Sequence, residues 1–171
     1  MIATIYKRLI QIGKVSGAVT FLLAAPYALI EYLQAKDAAR IEQTLNMFKM
    51  YNSTPFASYR EKLTKALVKN KEKIDEASKD VGAFQAAQFQ IIRQEDIETE
   101  LLLIFDFFDG VAVCVTSGVC DNDTAVQLFK PRALDIYVNF YQYMIAQRGA
   151  TTTRKFGIGL EAIAKSGKPV L

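Results

Sequence analysis

The amino-acid sequence predicts an all-α protein in which an N-terminal transmembrane helix continues into a small helical bundle domain. Three observations support this fold class. The segment Val15–Leu33, VSGAVTFLLAAPYALIEYL, contains a single charged residue, Glu31. Most of the remaining chain has apolar residues at the three- and four-residue spacing of one helix face. No segment alternates apolar and polar residues between turn signals, so no sheet is expected.

The N-terminal apolar segment predicts a membrane anchor. Its uncharged core, Val15–Ile30, would span about 24 Å as a helix, slightly less than the bilayer core of about 30 Å that roughly 20 helical residues cross. Lys14 can extend its amine to one interface, and Tyr32 and Leu33 suit the other. A helix buried in a soluble core and a cleaved signal peptide are the alternatives. Pro26 disfavours the signal peptide because it interrupts the small residues of a cleavage site.

The basic residues around the anchor predict its orientation. Lys7, Arg8 and Lys14 precede the anchor, and Lys36 and Arg40 follow it. These numbers are nearly equal, so the positive-inside rule gives only a slight preference for a cytoplasmic N-terminus. We therefore expect a single-pass protein of a bacterial inner membrane whose helical domain is periplasmic. A cytoplasmic domain is the alternative.

Small residues form a row along the predicted anchor. The row combines a four-residue repeat with an adjacent G-x-x-x-G pair: Ser16, Thr20, Ala24 and Ala28, with Gly13 and Gly17. Small side chains let a second membrane helix approach closely, so this face predicts packing against a partner helix or a second copy. The alternative is that such residues are simply common in membrane helices.

Helical periodicity and punctuation divide the chain into three parts. Residues 1–33 are the predicted anchor, 34–54 a connecting helix and turn, and 55–171 the bundle. The connecting helix should run to about Lys49, and Thr54 should cap the next helix. The predicted bundle helices cover residues 56–79, 84–94, 96–117, a segment from 121–123 to 149 that is divided at 130–131, and 156–164. Segment 96–117 is apolar nearly all round, which marks a central helix.

Composition restricts the chemistry that this chain can perform. The 171 residues have a formal net charge of +3 without a long run of like charges, so a nucleic-acid partner is not expected. Histidine, the commonest acid–base group and metal ligand, is absent. We therefore expect no catalytic residue, cofactor or metal. Asp106 and Asp109 share one face of the central helix, and we expect them to pair with Arg132, Arg148 or a lysine.

Cys114 and Cys120 flank the turn that follows the central helix. They are a candidate disulfide if the domain faces an oxidising compartment and their Cα atoms lie within about 7 Å. Two buried free thiols are the alternative in a reducing compartment.

Several sequence pieces resemble an uncharacterised bacterial family. They are Phe107-Phe108-Asp109, the segment from Cys114 to Asp121, and the aromatic helix from Phe129 to Arg148. The resemblance implies one N-terminal membrane helix, a charged connecting helix and a small helical domain. It implies no activity and no site residue.

Two functions follow as hypotheses. The first is an accessory or scaffold subunit without catalysis, in contact with membrane lipid, that binds a larger integral membrane protein complex or forms a homo-oligomer. The second is a membrane-tethered sensor or enzyme with a small-molecule pocket among Phe105, Phe108, Tyr137 and Tyr141.

Overall fold

The computed structural model describes the backbone of residues 2–150 and 155–165 and the side chains of residues 26–149 and 155–165. Within these ranges it has seven α-helices and no strand, which confirms the predicted all-α class. The helices are α1 (Ile2–Asn52), α2 (Phe56–Lys69), α3 (Lys71–Ala77), α4 (Val81–Gln94), α5 (Glu98–Thr116), α6 (Asn122–Ala150) and α7 (Ile158–Lys165). The chain divides into two compact units, Met1–Ala39 and Arg40–Leu171.

Helix α1 extends beyond the predicted anchor, as the periodicity after Leu33 indicates. It passes through Pro26 and ends at Asn52, close to the expected end at Lys49. The side chains of residues 1–25, most of the predicted anchor, lie outside the described residues. Among the residues that are described, no helix is long and apolar enough to cross a membrane.

The bundle helices α2 to α4 differ from the prediction at their boundaries. Helix α2 begins after a cis Thr54–Pro55 peptide, and Pro55 occupies the cap position expected for Thr54. The single helix predicted over 56–79 is two helices that meet at Asn70. Helix α4 begins earlier than predicted because the Asp80 carboxylate accepts a hydrogen bond from the backbone N–H of Ala83 at 2.7 Å.

Helix α5 is the central element of the second unit, as predicted. Its buried side chains come from several faces: Leu101, Ile104, Phe105, Phe107, Phe108, Val111 and Ala112. It contacts α2, α6 and α7. The chain leaves α5 through Gly118, whose φ of 73° lies in the left-handed region that glycine adopts without strain.

Helix α6 is interrupted at a different position from the predicted one. It is continuous through Pro131, where the sequence predicts a division, and has non-helical dihedrals at Phe140. Gln88 of α4 explains the break. Its amide donates to the carbonyl of Asn139 at 2.6 Å, and its oxygen accepts from the N–H of Tyr143 at 3.3 Å. These two backbone groups would bond each other in a regular helix, so the inserted side chain replaces one rung of the ladder.

The buried face of α6 also differs from the apolar face that the sequence predicts after Pro131, which consists of Leu134, Tyr137, Val138, Tyr141, Met144 and Ile145. After Pro131, the α6 residues buried in the core are Ala133, Ile136, Phe140, Tyr143 and Met144. Most of the predicted face instead reaches solvent, and Leu134, Val138 and Ile145 are 45%, 58% and 38% exposed. Both faces are apolar, so periodicity alone does not distinguish them.

Candidate functional site

The carboxylate of Asp109 binds the N-terminal end of α7, not an arginine or lysine as predicted. Its two oxygens accept hydrogen bonds from the backbone N–H groups of Gly157 at 2.8 Å and Gly159 at 2.6 Å. The first N–H groups of a helix lack partners within the helix and form its positive end, so a carboxylate there is stabilised. Asp106, its neighbour one turn away, is exposed.

The two glycines make this contact sterically possible. Gly157 has a φ of 67°, and a Cβ atom at Gly159 would lie 2.7 Å from the Cα of Asp109. Burial raises the pKa of the Asp109 carboxyl, although hydrogen bonds from Gly157, Gly159 and Leu160 lower it. The arrangement fastens α7 to α5 and leaves neither carboxylate oxygen without a donor, so we assign Asp109 a structural role.

Arg148, the other expected partner of the acidic pair, also holds α7. Its Nε donates to the carbonyl of Phe156 at 2.6 Å, and its Nη1 lies 2.7 Å from the Glu161 carboxylate. The side chains of Arg148 and Glu161 are mostly buried, so this ion pair is better shielded from water than a surface pair.

Cys114 and Cys120 form a disulfide in the structure, with Cα atoms 5.1 Å apart. The turn that it closes is also bonded to the end of α1, because Thr44 Oγ1 accepts from the N–H of Asp121 at 2.9 Å. The Asp121 carboxylate in turn accepts from the N–H of Thr124 at 2.8 Å and caps α6. Hydrogen bonds from Thr124 hold the pKa of the Asp121 carboxyl below its usual value.

The four aromatic residues expected to line a pocket are distributed over different contacts. Phe105 and Phe108 are fully buried in the core. Tyr137 and Tyr141 are half-buried and pack on each other, with ring centres 5.1 Å apart. Phe105 instead meets Phe156 edge to face at 5.1 Å. The structure therefore does not bring the four rings together.

A different cavity, of about 120 Å³, opens between α2, α6 and the end of α1. We call it the arginine cavity. Its lining residues are Tyr51, Arg60, Leu63, Thr64, Leu67, Arg132, Asp135 and Ile136. The lining thus combines two guanidinium groups, one carboxylate and two hydroxyls with an apolar wall.

Tyr51 and Arg60 define the inner part of the arginine cavity. The guanidinium carbon of Arg60 lies 4.4 Å from the centre of the Tyr51 ring, a cation–π contact. Burial raises the pKa of Tyr51 to about 12, although the charges of Arg60 and Arg132 lower it. The Tyr51 hydroxyl is therefore neutral at physiological pH.

No sequence signal predicted the arginine cavity. Arg60 lies on α2 and Arg132 on α6, so only the fold brings them together. Tyr51 reads as the first residue of a helix-breaking segment, yet it is 1% exposed and packs against Phe107 and Phe129.

The predicted membrane-helix packing residues lie in α1. The side chains of Gly13, Ser16, Gly17, Thr20 and Ala24 are outside the described residues, and Ala28 is exposed. Among the described side chains, no group of three or more cysteine, aspartate or glutamate residues could hold a metal ion.

These features define an all-α domain built around one central helix, with a disulfide-closed turn and a polar cavity. The chain belongs to the family described as a domain of unknown function, DUF4760, whose model matches residues 16–166. The resemblance to an uncharacterised family is thereby confirmed. Comparisons with curated proteins and with solved structures find no match.

Proposed function

We propose that this chain is a single-pass membrane-anchored accessory or scaffold subunit. It binds a larger membrane protein complex or associates with itself, and it performs no catalysis. The supporting observation is the exposure of the large apolar side chains at the C-terminal end of the anchor. These are Tyr27, Leu29, Ile30, Tyr32 and Leu33, which are 50–71% exposed.

The size of this apolar surface argues for a lipid environment. Complete burial of one such side chain contributes about 1.5–3 kcal/mol. Leaving five of them at least half exposed to water therefore forgoes on the order of 5 kcal/mol. A bilayer would accept these side chains, and Tyr27 and Tyr32 suit the boundary between lipid and water.

Helix α6 offers a second apolar surface, one that suits a protein partner. Leu134 and Val138 are four residues apart before the break at Phe140, and Tyr141 and Ile145 are four residues apart after it, so each pair shares one helix face. Leu134, Val138 and Ile145 are exposed and Tyr141 is half-buried. We propose that this row, which we call the α6 seam, packs on a helix of the partner or of a second copy.

The disulfide supports a periplasmic location for the domain in a bacterial inner membrane. Disulfides persist in oxidising compartments such as the periplasm and are rare in the cytosol. This agrees with the slight preference for a cytoplasmic N-terminus that the basic residues give.

Membrane fractionation of the full-length protein tests the anchor. We expect it to sediment with membranes and to resist carbonate extraction. The double variant L22R/L23R, with two charges in the anchor, should move to the soluble or aggregated fraction, whereas the control L134R should stay with the membrane. Recovery of the wild type from buffer as a well-behaved particle without detergent would refute the proposal.

Native mass spectrometry in a gentle detergent tests the association. We expect a homo-oligomer or a co-purifying membrane protein with the wild type, and loss of that species with the charge-inserting variant Val138→Arg. Val68→Arg, on an exposed valine of α2, is the matched control. A lone monomer for the wild type would count against a scaffold role.

A second candidate function is a membrane-tethered sensor or enzyme with a small-molecule pocket. The observation that favours it is the arginine cavity, which replaces the aromatic pocket as the place where a ligand could bind.

A further inference from the structure

We propose that the arginine cavity binds a small organic anion through a carboxylate or phosphate group. This inference does not depend on the membrane anchor or on a protein partner, because every residue of the cavity lies between positions 51 and 136.

The charges of the cavity favour an anion. Arg60 and Arg132 both line it, whereas Asp135 is its single carboxylate, which leaves a net positive charge. Among the described residues, neither arginine forms an ion pair, although other cations such as Arg148 do. Two guanidinium groups near one cavity repel each other, and a bound oxyanion would relieve that repulsion.

Arg60 is held in the arginine cavity by Tyr51 and carries one buried donor without a partner in the described part of the chain. The Tyr51 ring covers the face of the guanidinium at 4.4 Å and so restrains its plane. Its Nε atom is buried and has no hydrogen-bond partner among the described residues. A buried donor without a partner is costly, and the planar edge of arginine matches the two oxygens of a carboxylate or phosphate.

The remaining lining determines what kind of anion fits. The neutral Tyr51 hydroxyl and the Thr64 hydroxyl can donate to an oxyanion. Leu63, Leu67 and Ile136 provide an apolar wall for a short carbon skeleton. A volume of about 120 Å³ is roughly ten times that needed for one water and below that of drug-sized pockets. The site therefore suits a short-chain carboxylate or a small phosphorylated compound.

Thermal unfolding of the full-length protein in detergent tests the proposal. The probes are sodium butyrate and sodium phosphate, with sodium chloride at equal ionic strength as the baseline and butylammonium chloride as a cation of similar size. We expect butyrate or phosphate to raise Tm in a saturable manner, by about 3–6 °C at ten times Kd. The larger of the two shifts identifies the headgroup. Butylammonium should have no effect.

Variants locate the binding. Arg132→Gln at the open side of the cavity should weaken binding of the better probe at least tenfold, and Arg60→Lys, which keeps the charge without the planar edge, should also weaken it. Asp135→Asn should strengthen it several-fold because it removes the repelling carboxylate. Arg93→Gln, on an exposed arginine of α4, should leave the affinity unchanged.

Two results would overturn the proposal. One is that neither butyrate nor phosphate raises Tm above the chloride baseline. The other is that the Arg132, Asp135 and Arg93 variants all bind the probe as the wild type does, which would place the anion elsewhere. Circular dichroism of each variant verifies that its helices are intact, so a weakened affinity reports on the site.

Discussion

Substitution of Gly159 by alanine is the sharpest test of how α7 is fastened to α5. A Cβ atom at this position would lie 2.7 Å from the Cβ of Ala112 and from the Cα of Asp109, and 2.8 Å from the carbonyl oxygen of Phe108. Ordinary contacts begin at 3.4 Å, so α7 must retreat by about 0.7 Å. Two of these obstacles are backbone atoms of α5, which cannot rotate away.

The cost follows from two effects that act together. Overpacking of this kind destabilises by about 1–3 kcal/mol. The retreat also stretches the charge-assisted hydrogen bond from the Gly159 N–H to Asp109, now 2.6 Å long, which weakens it further. The higher helix propensity of alanine returns at most about 1 kcal/mol. We therefore expect the free energy of unfolding to fall by about 2 kcal/mol.

Gly110 provides the matched control because it lies in α5 and a Cβ atom added there would have no neighbour within 4 Å. Gly110→Ala should stabilise the protein by about 0.5–1 kcal/mol. In urea unfolding followed by circular dichroism, the midpoint of Gly159→Ala should lie about 1 M below that of the wild type, if the free energy of unfolding falls by about 2 kcal/mol per M of urea. If both variants shift in the same direction by the same amount, the steric argument is wrong.

Three further predictions concern the same unit. Asp109→Asn leaves one acceptor for two N–H donors and should cost about 1–3 kcal/mol. Burial raises the pKa of Asp109 in the folded state, so the stability that this carboxyl contributes is full below its unfolded pKa and is lost as pH rises through its folded pKa. The free energy of unfolding of the wild type relative to Asp109→Asn should therefore fall from about pH 4 upward, and a rise would contradict this. Replacing Cys114 and Cys120 by serine should cost about 2 kcal/mol from loop entropy, and thiol alkylation of the protein purified without reductant should label neither cysteine before reduction. Arg148→Met removes its bonds to Phe156 and Glu161 and should cost about 2 kcal/mol in the same urea assay; an unchanged midpoint would show that these contacts do not hold α7.

Strong helix signals in the sequence predicted the fold class and the central helix. The segment 96–117 is apolar on nearly every face, so it had to be surrounded by other helices, and α5 is. The turn residues also predicted where two helices end and begin. Gly118 follows the end of α5, and Asp121 caps α6.

The missed features depend on contacts between residues far apart in sequence. Periodicity predicted one apolar face on α6, most of which is exposed or half-buried, because the buried face depends on where α4, α5 and α7 pack. Asp109 was expected to find a cation, but its partners are backbone N–H groups on α7, which have no sequence signature. The arginine cavity could not be predicted from the sequence for the same reason, since Arg60 and Arg132 belong to different helices.

The side chain of Gln88 gives α6 a shape that its own residues do not encode. One amide from α4 takes both hydrogen bonds at the break, to Asn139 and Tyr143. As an isolated peptide, α6 would lack the hydrogen bonds from Gln88 that break it at Phe140. With Gln88→Leu, the N–H of Tyr143 could again donate to the carbonyl of Asn139. The angle between the halves of α6, and with it the direction in which the last third of that helix points, is therefore set by a single glutamine about fifty positions upstream.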